Sequence, residues 1–267
     1  MSTPAQQYAD AVAALQEAQA IVLARQDRQN MSQLTRIHKD YENRIKYLDF
    51  VGSNNNISKE IVLDRHPVPN SKYCSELLKV FKIQEYKPVL FKLSKLCSRN
   101  IYFNTYHDQH HFKAVLVISC ILAKQMDLSH KDRLLLIIIA LTHDMNHQGR
   151  RILGAEPYYQ EIKSYNELEK VIFKKILNFK EMQRVKKIFK NTYFPNKPEF
   201  VTDNVEKIIL DSDILSSLMF GHEVGVKLAR RLNHEIRYNQ GSENLFLNFL
   251  QLLGDKCLYL DYSKNSC

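Results

Sequence analysis

Eight consecutive apolar residues, Leu134 to Leu141, constrain this chain more than any other stretch. The run is far shorter than the ~20 residues that a membrane-crossing helix needs. It is apolar on nearly every side, so it predicts a buried central element. A buried strand would also accommodate its β-branched residues. The flanking Lys131, Asp132 and Arg133 and the polar continuation through His147 favour a helix. Ser129, with Asp132 three residues on, reads as the capping box that starts it, and Gly149 as the residue that ends it.

The rest of the chain agrees with a helical fold. Only seven glycines and seven prolines occur in 267 residues, and 45% of the residues are hydrophobic. Strand-and-turn architectures consume Gly and Pro, so the reading is all-α. Residues 5–27 are rich in Ala and Gln, with Val12, Leu15, Ala18 and Val22 at helical spacing. Residues 30–49 place Met31, Leu34, Ile37, Tyr41, Ile45 and Leu48 in one stripe, which either packs on its own domain or forms a coiled-coil or homodimer arm. Gly52, Asn54 to Asn56, Pro67 and Pro69 mark a linker. The expected organisation is an N-terminal helical extension over 1–50, a linker over 51–72 and a main domain over 73–267. Within that domain two short helices are expected over 73–97, divided by Lys87-Pro88, and further helices over about 106–126, 130–147, 155–178, 181–190, 201–220, 221–238 and 243–253.

The net charge of +9, from 38 basic and 29 acidic residues, suits a basic surface and attracts phosphate-bearing partners. No arginine block or aromatic-interleaved basic stripe occurs, which argues against nucleic acid as the main partner. Five cysteines without C-x-x-C spacing read as reduced thiols. The start of the chain lacks the basic and apolar regions of a signal peptide. With no candidate transmembrane segment, a cytoplasmic location is expected.

The central run leads directly into chemistry. Before it stands Tyr106-His107-Asp108-Gln109-His110-His111, and after it His143-Asp144-Met145-Asn146-His147-Gln148-Gly149. His107 and His111, four apart, would share a helix face, and His143 and His147 repeat the spacing. A buried run ending in His-Asp is costly unless the polar groups are compensated, and a metal ion compensates them. Imidazole and carboxylate together suit zinc, manganese, iron or magnesium. His110 falls on a different face. A third element must complete the set, and Asp211 and Asp213 are the candidates.

The order H…HD…D resembles the HD-domain metal-dependent phosphohydrolases. Tyr106-His107-x-x-x-His111, His143-Asp144-x-x-His147-x-Gly149 and Ile209-Leu210-Asp211-Ser212-Asp213 are similar to the motifs of class I cyclic nucleotide phosphodiesterases, over roughly residues 75–235. The resemblance implies a compact multi-helix HD domain. It implies that His111, His143, Asp144 and Asp213 hold a first ion, typically zinc, and that Asp144 bridges to a second, magnesium or manganese. A water between the two cations would attack phosphorus, and His107 would be the general acid. His147 and Glu169 would support the second ion, and Tyr106 would contact the nucleotide substrate.

The sequence departs from the family at Asp108, Asn146 and Gln148 and after Glu169, where Lys170-Val171-Ile172 replaces N-H-H. Gln240, Gln251, Phe246 and Phe249 are available for base recognition, but no glutamine stands in a Q-x-x-F context. Two alternatives follow: an HD hydrolase acting on phosphomonoesters, deoxynucleoside triphosphates or another phosphodiester, and a non-catalytic nucleotide-binding scaffold.

Overall fold

A computed structural model describes residues 81–97, 104–124, 126–145, 147–149, 156–194, 198, 200–218, 222–237, 241–253 and 258–264. All lie within the compact unit Leu48–Cys267. The expected extension over 1–50 and linker over 51–72 fall outside the described residues. The described part is all-α, with no strand among its residues. None of its helices is long and apolar enough to cross a membrane.

The helices are α1 (Lys87–Cys97), α2 (Gln109–Ala123), α3 (His130–Thr142), α4 (Tyr159–Leu168), α5 (Phe179–Asn191), α6 (Asn204–Leu218), α7 (His222–Ile236) and α8 (Ser242–Leu253). α4 continues through a π-helical turn, Glu169–Phe173, and a last short turn, Lys174–Ile176. α2 lies against both α3 and α6, and α6 also touches α3. α1 covers another side of α3, α4 pairs with α5, and α7 joins α6 to α8.

The apolar run sits where its composition requires. Every residue from Leu134 to Leu141 is fully buried. Each Leu and Ile among them contributes roughly 1.5–3 kcal/mol relative to exposure. Ser129 caps α3: its hydroxyl accepts from the Asp132 amide at 3.1 Å and donates to the Asp132 carboxylate at 2.8 Å. Arg184 of α5 bonds both Asp132 and Asp203. Asp203 in turn accepts the Val205 amide at 2.9 Å at the start of α6. One guanidinium thus ties the N-termini of α3 and α6 to α5. The buried Glu206 of α6 is satisfied by Lys187 at 3.1 Å and by Asn191, both on α5.

Two expected helix boundaries are corrected. α2 begins at Gln109, not Tyr106, because the amides of Tyr106 and His107 are bound by Glu235 of α7, at 2.7 and 3.0 Å. Asp108 then caps the helix, accepting the His111 amide at 3.1 Å. α3 stops at Thr142 and turns through His143 to Met145, with the His147 amide closing onto the Asp144 carbonyl at 3.0 Å. Neither histidine pair therefore lies four apart on one helix face. The pairs converge because a loop precedes one helix and a turn follows the other.

Candidate metal centre

The three buried helices each bring a ligand to one point. His111 comes from the first turn of α2, His143 and Asp144 from the end of α3, and Asp213 from the middle of α6. The ligand atoms of these four residues all lie within 4.8 Å of one another. His111 Nε2 is 3.4 Å from Asp144 Oδ2 and 3.3 Å from Asp213 Oδ1. His143 Nε2 is 3.2 Å and 3.7 Å from the same two atoms. Ligand bonds of about 2.0–2.2 Å set ligand atoms of a tetrahedral ion ~3.3–3.6 Å apart, so the spacing fits.

The polar accounting agrees with a cation. Nε2 of both His111 and His143 is buried without a hydrogen-bond partner. Such atoms are costly to bury, and a metal ion satisfies them. Burial opposes charge on the His111 imidazole, yet Asp144 and Asp213 overcome it and push it up to about 9. Burial likewise opposes a charged His143, and the same carboxylates raise it well above the ordinary value. In turn, burial is outweighed for Asp144 by His143 and His111, and for Asp213 by His111 and His143, so both carboxyls fall below their ordinary range. The site wants positive charge.

Asp211 and Asp213 separate cleanly. Asp211 is buried, and its carboxylate accepts the amides of Tyr259 and Leu260 at 2.8 and 2.9 Å. Only Asp213 faces the imidazoles.

A second group stands beside the first. His107 Nδ1 donates to Glu235 Oε1 at 2.6 Å, which turns Nε2 toward Asp144 Oδ2 at 3.8 Å. Burial and the neighbouring His147 push the His107 imidazole down, while Glu235 pulls against them. The His107 and His147 rings stack at 3.8 Å between centroids. The Gly149 amide donates to His147 Nδ1 at 3.1 Å, leaving the His147 proton on Nε2. Glu235 is buried, but the bonds it receives from His107 hold its carboxyl well below the usual range.

Asn104 and Glu235 support the site without any local mark in the sequence. Asn104 donates to the carbonyls of His147 at 2.7 Å and His107 at 3.2 Å, stapling the two histidine loops. Gly149 has φ +69°, and a Cβ there would stand 2.6 Å from Asn104 Oδ1 and 3.0 Å from Glu235 Cγ. Glu235 itself lies 128 residues from His107 in an ordinary amphipathic helix, so no local pattern marks it. Tyr106 lines the cavity, with its hydroxyl 2.8 Å from Ser217 Oγ. Burial, with Asp213 adding to it, keeps that phenol protonated.

Glu169 does not reach the site. It sits in the π-turn, where its charge acts on Tyr165. The face of α4 that meets the site carries Glu161 and Ser164, and the next residue on that face is Leu168. Ser164 donates to the Met145 carbonyl at 2.7 Å. Glu161 is buried, which pushes its carboxyl up to about 7, with the Asp144 charge adding to the shift, and its Oε2 has no hydrogen-bond partner. Glu161, not Glu169, is the α4 carboxylate that lines the cavity.

The centre opens into a cavity of about 920 Å³. Its floor holds His107, Asp144, His147 and Asp213, and its wall is formed by Leu232, Ile236, Leu245, Phe246 and Phe249 of α7 and α8. Gln251 also lines it. Phe246 and Phe249 stack at 6.1 Å, and Phe194 meets Phe249 at 5.2 Å. Gly225 allows this wall to form, since a Cβ there would fall 2.1 Å from the Phe246 ring. Gln240 lies outside the described residues.

No family model, curated protein or solved structure matches the chain.

Proposed function

We propose that this chain is a metal-dependent phosphohydrolase of the HD kind that cleaves a nucleotide phosphodiester, with a cyclic nucleotide as substrate. The observation that carries the reading is the pair of buried, partnerless imidazole nitrogens of His111 and His143 facing the carboxylates of Asp144 and Asp213. These four residues would hold a first divalent ion, zinc, and Asp144 would share a second, magnesium or manganese. When bound, the ions supply Lewis acidity to the attacking water and to the phosphate oxygens.

The chain's own residues supply the rest. His107 presents Nε2 toward the cluster and would donate a proton to the leaving oxygen. Glu235 fixes the ring through Nδ1 and stabilises its protonated form. The stacked His147 ring restricts His107 to that orientation. Burial of Glu161 beside Asp144 gives a carboxyl that can hold or release a proton near neutral pH.

The charge of the described lining supports the phosphodiester reading over a triphosphate one. Among the described lining residues none is Lys or Arg, while Asp144, Glu156, Glu161 and Asp213 are acidic. A triphosphate carries several negative charges and calls for cationic side chains. A cyclic phosphodiester carries one, which the ions offset, and its base suits an aromatic wall with Gln251 at hand.

Metal analysis of the purified protein with a panel of cyclic mononucleotides, cyclic dinucleotides and deoxynucleoside triphosphates tests the proposal. The expected result is a bound divalent ion and turnover of a cyclic mononucleotide. Absence of any bindable divalent ion overturns the enzyme reading, and turnover confined to triphosphates overturns the substrate class.

A further inference from the structure

The hairpin of α4 and α5 has ends of opposite character. Its open end reaches the cavity through Tyr159, Gln160 and Glu161 on one arm and Thr192, Tyr193 and Phe194 beyond the other. Its closed end, at residues 176–180, lies roughly 20 Å from Glu161 along the arm, at ~1.5 Å per helical residue.

The hairpin is rich in positive charge, and its unpaired lysines lie toward the closed end. From Lys170 to Lys190 the sequence holds eight basic residues and one acidic residue, Glu181. Four of the eight are engaged. Arg184 bonds Asp132 and Asp203, and Lys187 reaches Glu206 at 3.1 Å. Lys186 and Lys190 lie over the rings of Tyr165 and Tyr158, at 5.7 and 4.9 Å. Lys170, Lys174, Lys175 and Lys180 are exposed and have no acidic partner among the described residues. Lys180 stands in the first turn of α5, where the helix dipole disfavours positive charge, a placement that folding alone does not select.

Among these lysines stands Phe179, 70% exposed. It is held on a fixed turn. Asn178 and Glu181 form a reciprocal capping box, with bonds of 2.8 and 3.0 Å. Lys131 of α3 donates to the Ile176 carbonyl at 2.6 Å. A large ring is thus presented outward from a braced, basic, convex tip.

We propose that this tip docks the protein on a bilayer surface containing anionic lipid. Phe179 enters the headgroup region, and Lys170, Lys174, Lys175 and Lys180 meet the negatively charged headgroups. Basic residues near such a surface attract it, and an aromatic side chain adds a short-range apolar anchor. A nucleic acid fits less well. Single strands are held along a groove by several aromatic platforms, whereas the tip is convex and offers one ring. The cavity lies at the other end of the hairpin, so docking leaves its mouth in water.

The test is sedimentation of the full chain with vesicles of phosphatidylcholine alone or with one-third phosphatidylserine, at two salt concentrations. Binding is expected only to the phosphatidylserine vesicles, and weaker at high salt. Single Lys→Ala changes at 174, 175 and 180 each lower the partition constant about fivefold. Lys174→Glu with Lys175→Glu and Lys180→Glu abolishes binding at unchanged thermal stability. Phe179→Ala weakens it at constant charge. Failure to bind phosphatidylserine vesicles at low salt overturns the proposal, as does equal binding by the charge-reversed variant. Capture of an RNA oligomer through the same lysines, without vesicle binding, also overturns it.

Discussion

The floor and the wall of the cavity are built on opposite principles. The floor, with the residues just beneath it, gathers polar groups around the buried helices α2, α3 and α6, and three imidazole nitrogens there, His111 Nε2 and both of His143, have no hydrogen-bond partner. The wall, from α7 and α8, is apolar and closed by ring-on-ring contacts. A floor left in deficit asks for a ligand of defined charge. A wall that is satisfied asks only for a shape. On the proposed function, damage to the floor should appear in metal content and kcat, and damage to the wall in KM.

The largest effect is expected from His143→Ala or Asp213→Ala. Either removes a ligand of the cluster, so bound metal falls and turnover drops by about three orders of magnitude or more. Mass-spectrometric metal analysis beside a rate assay checks both. Next, His107→Ala should lower kcat by roughly 10²–10⁴-fold with metal content intact, since His107 lies outside the ligand set. Full metal with unchanged turnover would remove His107 as the acid. Glu235→Gln keeps the shape but loses the charge on His107 Nδ1, and about a 10–100-fold loss in kcat is expected.

The wall is probed by Gly225→Ala. The new methyl must displace Phe246, at a cost of about 1–3 kcal/mol of packing. KM should rise with kcat nearly unchanged, and a kcat effect equal to that of Glu235→Gln would erase the distinction between floor and wall. The smallest effect belongs to Glu161→Gln in metal-free protein. The Glu161 carboxyl titrates near 7 when folded and in the ordinary carboxylate range when unfolded. Folding takes up a proton between those values, so stability from this group falls as pH rises toward 7 and stays low above it. Melting curves should show the variant more stable than the parent at pH 8 by about 2–4 °C, with little difference below pH 4.

The same contrast explains what could be read in advance. The apolar run from Leu134 to Leu141 and the histidines beside it are dense local signals, so the buried helix and the ligand candidates were visible. Residue type alone does not separate Asp211 from Asp213, two positions apart on a helix, and only the resemblance of the surrounding motif pointed to Asp213. The amides of Tyr259 and Leu260 separate them, and those lie 48 and 49 residues away. The helical i,i+4 reading of His107 and His111 failed because Glu235 draws the first histidine's backbone out of the helix. Glu161 was missed because a residue's face depends on where its helix starts, and α4 starts after Tyr158, a non-glycine at φ +67°.

Asp211 has one more consequence. Its carboxylate clamps the backbone at Tyr259 and Leu260, while Asp213, two residues on, looks into the cluster. One helical turn thus carries both the clamp on residues 259–260 and a candidate ligand. On the proposed metal reading, an ion that stiffens this turn holds the Asp211 carboxylate more firmly, and slower deuterium exchange of the Tyr259 and Leu260 amides on metal addition is the expected sign.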